Sequence, residues 1–306
     1  MKLKSHEVRF EVTNRCNASC IMCPREKMTR PQGILDIGLY KRILDEAAGM
    51  GAKIVTLENF GESFIDPYIF ERAEYAKSKG LEVYTVTNGS LLDEEKIPEV
   101  LRLFDKIRIS MYGMKKDTYE AIHKGLCYET VKNNVMNIFR MKRERNGKIK
   151  IHMYFLILKE NRHEMREFLD QFENIADAVS VWKPHNWADA RNYRPVFKKK
   201  VSCGRPFSGP LQIQWNGLLV PCCFDYDSKI VLGDLTKEVL ADVLKGKCYA
   251  ELREAHKKGG FHQFPLCDGC DQLNKREDVL VYTNIQNAKV GATYSTNFDL
   301  DTGNNG

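Results

Sequence analysis

Three cysteines crowd one short loop, Cys16, Cys20 and Cys23, in the run Thr13-Asn14-Arg15-Cys16-Asn17-Ala18-Ser19-Cys20-Ile21-Met22-Cys23-Pro24. The spacing Cys-x3-Cys-x2-Cys lets three thiolates hold three irons of a 4Fe–4S cluster and leave the fourth iron open. Electron-transfer clusters use four cysteines, and structural zinc is also closed by four ligands. On spacing alone a zinc loop with a distant fourth ligand remains an alternative. A second group follows far along the chain: Cys203, then Gly217-Leu218-Leu219-Val220-Pro221-Cys222-Cys223, then Cys267-Asp268-Gly269-Cys270. It supplies four thiolates with one Cys-x2-Cys pair, which suits a closed cluster or a zinc knuckle. Between the groups stands only Cys127, and Cys248 lies inside the second region. The distribution predicts two separate metal centres.

The segment between the groups alternates β-prone and helical runs. Strands are predicted at Val8 to Thr13, Lys53 to Glu58, Leu81 to Thr87, Lys106 to Ser110, Lys150 to Leu158 and Ala178 to Trp182. Leu39, Ile43 and Ala47 have helical spacing. Asp66-Pro67 reads as an N-cap with proline at the first helical position, and Gly80 closes that helix. Further helices are predicted at Asp93 to Phe104, Tyr128 to Arg145 and Arg162 to Phe172. Regular βα alternation implies a parallel sheet covered by helices. Six units fall short of a closed eight-unit barrel, so an open or partial barrel is expected. The stretch from Gln286 to Gly306 is polar and is expected to be loosely held.

Composition narrows the class. The chain has 306 residues, 43% hydrophobic and 29% charged, within the globular range. A net charge of +6 permits an acidic or phosphorylated partner without arguing for nucleic acid. No apolar run reaches membrane-spanning length, and the first seven residues carry no apolar signal core. A cytoplasmic, reducing setting is therefore expected, where ten cysteines read as ligands or catalytic groups, not disulfides.

The first loop resembles the cluster-binding loop of the radical S-adenosylmethionine (SAM) enzymes, including the Thr-x-x-Cys-Asn lead-in. Met22 departs from the aromatic residue often found there. Asn59-Phe60-Gly61-Glu62 resembles the family's Gly-Glu motif, with Ser63 in place of the usual proline. Thr87-Asn88-Gly89 closes the third strand, and Arg108-Ile109-Ser110 the fourth, where the family often places a ribose-binding serine. The resemblance implies a partial (β/α)6 barrel. It implies SAM bound at Met22, Gly61, Glu62, Asn88 and Ser110, and reductive cleavage to a 5′-deoxyadenosyl radical. The second group resembles the auxiliary-cluster extension called SPASM, or its shortened twitch form, with a complement for one 4Fe–4S cluster. Cys222 is preferred over Cys223 as ligand, because it completes Gly-x4-Cys. The implied division is 1–190 for the barrel, 191–285 for a small α+β auxiliary domain and 286–306 for a tail.

After the sixth strand comes Trp182-Lys183-Pro184-His185-Asn186-Trp187-Ala188-Asp189-Ala190-Arg191. Its polar groups and tryptophans suit a small polyhydroxylated or phosphorylated substrate; the alternative is a loop packing the domain junction. The architecture implied is that of dehydrogenases and epimerases acting on aminocyclitols and sugars. Oxidation is the expected reaction, with His185 or Arg191 as base and the auxiliary cluster taking the second electron. An epimerase would use Cys223 or Cys248 as hydrogen donor. A ribosomal-peptide maturase and a zinc-bound nucleic-acid module are further alternatives. The first of these usually carries an added N-terminal peptide-binding domain, and about seven residues precede the first strand here. Expected partners are the small substrate and an electron donor such as flavodoxin or ferredoxin, with no membrane or nucleic acid.

Overall fold

Six short runs rich in Val, Ile, Phe and Leu pair in chain order: β1 (Glu7–Phe10), β2 (Ile54–Leu57), β3 (Glu82–Thr87), β4 (Lys106–Ser110), β5 (Lys150–Leu156) and β6 (Ala178–Trp182). Every neighbouring pair among them is parallel. The structure is a computed structural model and describes residues 2–274 and 279–286. All four residues of β2 are buried, the pattern of a strand covered on both faces. The first strand ends at Phe10, short of the predicted Thr13. Glu11 is drawn off by a bidentate pair with Arg30 (2.5 Å to each oxygen), and the Thr13 hydroxyl donates to the Gly33 carbonyl at 2.7 Å.

The helices cover this sheet. They are α1 (Ile37–Gly49), α2 (Ile69–Ser78), α3 (Ile97–Leu103), α4 (Lys116–Ile122), α5 (Tyr128–Glu144) and α6 (Met165–Phe172). Helix α1 starts where the Asp36 carboxylate accepts from the Leu39 N–H at 2.7 Å, and it buries Tyr40, Ile43, Leu44 and Ala47. Helix α2 begins at Ile69, later than the expected start at Pro67. The Asp66 carboxylate is engaged by the buried Arg72 Nε at 2.6 Å and by the Tyr68 N–H at 3.1 Å. It therefore fixes the turn before the helix. Gly80 follows α2 with φ +76°, a left-handed conformation that suits glycine.

The C-terminal third extends the same sheet. β7 (Leu211–Ile213) runs parallel to β1 on its free side, and β8 (Leu218–Val220) and β9 (Gly233–Asp234) continue antiparallel. β10 (Leu280–Thr283) lies antiparallel on β6 at the other end, giving the open order β10-β6-β5-β4-β3-β2-β1-β7-β8-β9. Helices α7 (Arg205–Ser208), α8 (Leu240–Lys245), α9 (Lys247–Lys258) and α10 (Pro265–Asp268) complete the region. One hydrophobic core runs through Phe10 and Leu57 to Ile213, Leu235 and Leu252. The boundary expected near residue 190 falls in the loop between β6 and α7. Of the tail expected from Gln286 onward, residues 287–306 lie outside the described residues. Among the described residues no helix is long and apolar enough to cross a membrane.

Candidate active site

The C-terminal ends of the parallel strands open on a cavity of about 340 Å³. Ligands bind at this end of parallel α/β folds because successive loops converge there. The thiols of Cys16, Cys20 and Cys23 all line it. Their loop is held by two arginines whose roles the sequence does not announce. Arg25 donates to the Ala18 carbonyl at 3.1 Å and to those of Asn14 and Cys16 at 3.4 Å. Arg191 donates to the carbonyls of Cys23 and of Ile21 (3.2 Å), and pairs with Glu26 at 2.9 Å.

Burial, first of all, pushes the three thiols up; the charge of neighbouring thiols adds to this at Cys20 and Cys23, and the latter is pushed up to about 11. Thiols so placed are stabilised as thiolates by a bound cationic centre. The trio's donor chemistry therefore fits an iron–sulfur cluster.

Gly61 brings the Gly-Glu segment against this loop. A Cβ there would lie 2.2 Å from the Thr13 carbonyl oxygen and 2.7 Å from that of Arg15. The Glu62 N–H donates to the Arg15 carbonyl at 2.9 Å. Glu62 itself is buried, and its carboxylate accepts from the Thr87 hydroxyl at 2.7 Å and the Asn88 N–H at 2.8 Å. Burial raises its pKa, while these two hydrogen bonds and a third from the Phe64 N–H pull it down. The Asn88 side chain reaches Asn17 in the cluster loop at 3.1 Å. Ser110, whose Oγ accepts from the Tyr112 hydroxyl at 3.1 Å, also lines the cavity, as does Met22. The five residues expected at SAM thus surround one space.

The second group gathers about Arg205. Its buried guanidinium interacts electrostatically with Cys203, Cys223, Cys222 and Cys270. Cys222 feels Cys203 and Cys270, and Cys267 feels Cys203, so the four expected ligands share one neighbourhood. Burial pushes Cys222, Cys267 and Cys270 up. Apolar Phe261, Leu266, Leu273 and Ala188 pack around Cys203 and Cys270. Four thiols beside one guanidinium fit an anionic four-thiolate cluster. Among the described residues no three His, Cys, Asp or Glu groups are drawn together at the spacing of a single metal ion.

His185 and Cys223 line the cavity; Arg191 and Cys248 do not. Arg191 is engaged on the cluster loop, and a guanidinium is not a base at working pH, which removes it as proton acceptor. Cys248 is exposed on α9, which removes it as hydrogen donor to this cavity. Cys127 is exposed at the start of α5. The His185 Nδ1 accepts from the Trp187 N–H at 3.1 Å. Burial and the charges of Arg194 and Arg205 hold the ring neutral. A neutral ring whose Nδ1 accepts a backbone N–H carries its proton on Nε2.

Sequence reasoning missed Arg9, Glu58 and Arg108, which line the cavity from β1, the end of β2 and β4. Arg9 pairs with Glu58 at 3.2 Å and with Glu7 at 2.7 Å. A signal was available: Glu7-Val8-Arg9-Phe10-Glu11-Val12 alternates charged and apolar residues with period two.

This chain belongs to the radical SAM superfamily, whose family model matches residues 10–172. The model of the SPASM iron-sulfur cluster-binding domain matches residues 203–271. SAM and 4Fe–4S clusters are the cofactors of this combination. A tungsten-containing aldehyde ferredoxin oxidoreductase cofactor-modifying protein of Pyrococcus furiosus is 25% identical, over 85% of this chain and 86% of its own length. The SAM-dependent 2-deoxy-scyllo-inosamine dehydrogenase of Niallia circulans is 20% identical, over 87% and 93%. The crystal structure of BtrN in complex with AdoMet and 2-DOIA superposes with a TM-score of 0.62 at 15% identity, covering 96% of this chain and 99% of that one.

Proposed function

We propose that the protein oxidises a small polyhydroxylated substrate, removing a hydrogen atom, a proton and an electron from one H–C–O–H unit to leave a ketone. When bound, the clusters and SAM supply the 5′-deoxyadenosyl radical and an acceptor for the second electron. The observation that carries this reading is the cavity itself. Cys16, Cys20 and Cys23 line it together with Cys223, the chain neighbour of Cys222. A substrate in this cavity meets the trio directly, and the second group begins one residue beyond Cys223. Glu62 receives the SAM ammonium, and Ser110 the ribose or carboxylate. Arg9 and Glu58 face the substrate, and Glu58 takes the hydroxyl proton assigned from sequence to His185 or Arg191. His185 lines the same space. Trp182, Trp187 and Phe224 supply apolar surface that excludes water.

A specific observation favours one alternative. Cys223 lines the cavity, and burial keeps its thiol protonated despite Arg205 and Arg9. A protonated thiol there is what a redox-neutral epimerase needs as hydrogen donor. Incubation with SAM, reductant and a panel of aminocyclitols and sugars, read by mass spectrometry, tests the proposal. A product two mass units lighter than one panel member supports it. SAM cleavage that yields only isomers of the panel members rejects it.

A further inference from the structure

His123 sits just after α4, in a segment whose sequence pattern predicts no element. It is 2% exposed and lies between two tyrosine rings, Tyr119 at 4.6 Å between centroids and Tyr112 at 5.0 Å. Its Nδ1 is 3.2 Å from the Cys20 sulfur, and its Nε2 accepts from the Tyr112 N–H at 3.3 Å. The second contact decides the first. A ring nitrogen that accepts a backbone N–H carries no proton, so the remaining proton of the neutral imidazole is on Nδ1. Nδ1–H therefore donates to the sulfur. The geometry is held from the backbone as well: the Ile21 N–H donates to the Ile122 carbonyl at 3.0 Å, and the Ser19 N–H to the Lys124 carbonyl at 2.8 Å. The cluster loop and the histidine are thereby fixed relative to one another.

We propose that His123 is a positioning residue that eases reduction of the cluster held by Cys16, Cys20 and Cys23, through an Nδ1–H hydrogen bond to the Cys20 sulfur. The inference rests on the reading that this trio holds the SAM-binding cluster. Hydrogen bonds to cluster sulfurs are among the determinants of reduction potential. A donor stabilises the more negative, reduced state, so its removal makes reduction harder.

The test is the midpoint potential of the holoenzyme, followed by EPR on the signal that changes when SAM is added. His123→Phe keeps a ring between Tyr112 and Tyr119 but removes the donor. It should lower the equilibrium constant for reduction roughly tenfold, a shift of about 59 mV to more negative potential for one electron. The second, SAM-insensitive signal should stay in place. His123→Asn, with an amide N–H near the position of Nδ1, should recover most of the shift. Wild-type protein labelled with 15N-histidine should also show a histidine nitrogen coupling in the pulsed EPR spectrum of the reduced, SAM-sensitive cluster. An unmoved potential in His123→Phe overturns the proposal. So do equal shifts in His123→Phe and His123→Asn, or no nitrogen coupling in the wild type. Absence of any SAM-sensitive signal in the wild type would instead overturn the cluster assignment beneath it.

Discussion

Cys222 and Cys223 are consecutive in the chain, yet only the second lines the cavity. Cys223 lines the cavity with Arg9 and Glu58, whereas Cys222 lies outside the lining and interacts with Cys203 and Cys270. Both thiols follow β8 and both feel Arg205, but only Cys223 reaches the cavity lining.

Iron content separates the two. Anaerobic reconstitution should give about eight irons per chain, two cubanes of four. Cys222→Ala should retain about four, because the second group then loses a ligand. Cys223→Ala should retain about eight. The reverse pattern would exchange their roles.

Glu62 is expected to govern SAM affinity. Hydrogen bonds to charged groups contribute roughly 1.5–3 kcal/mol. Glu62→Ala should weaken SAM binding about ten- to a hundred-fold, measured by calorimetry on the reconstituted protein. The wild-type affinity should also fall in acid, since burial has raised the Glu62 pKa and its protonation removes the charge. An unchanged affinity in the mutant would place SAM elsewhere.

Acid should destabilise the fold through His256. Burial lowers its pKa from 6.5 to about 4. The Ser202 hydroxyl lies 3.0 Å from its Nδ1. The unfolded chain then binds more protons than the folded one between these values, so stability rises with pH across that window and is lost as pH falls through it. Thermal unfolding followed from pH 7 to 4.5 should show this loss. His256→Gln should make the dependence shallower in that window, and an unchanged slope would contradict the assignment.

The six parallel strands are legible in the sequence because buried strands need near-continuous Val, Ile and Leu. The three-thiol loop carries its chemistry in its spacing. What stays hidden depends on partners distant in the chain. β7, β8 and β9 are two or three residues each, too short for periodicity, and exist because β1 offers a free edge. β10 pairs with a strand about a hundred residues earlier, which no local pattern reveals. Arg9 and Arg108 read as ordinary strand residues until the fold brings both to the lining of one cavity. Arg191 lies in a loop whose polar composition suits substrate binding, but only the fold shows it reaching the Ile21 and Cys23 carbonyls.

The central claim, oxidation in the cavity lined by Cys16, Cys20, Cys23 and Cys223, is tested most directly by running the reaction in deuterated water and weighing the product. Oxidation gives a ketone two mass units lighter than the substrate, with no solvent deuterium fixed at the reacting carbon, and Cys223→Ala still forms it. An isomer of the substrate carrying one deuterium, abolished by Cys223→Ala, would contradict the account and make the protein an epimerase.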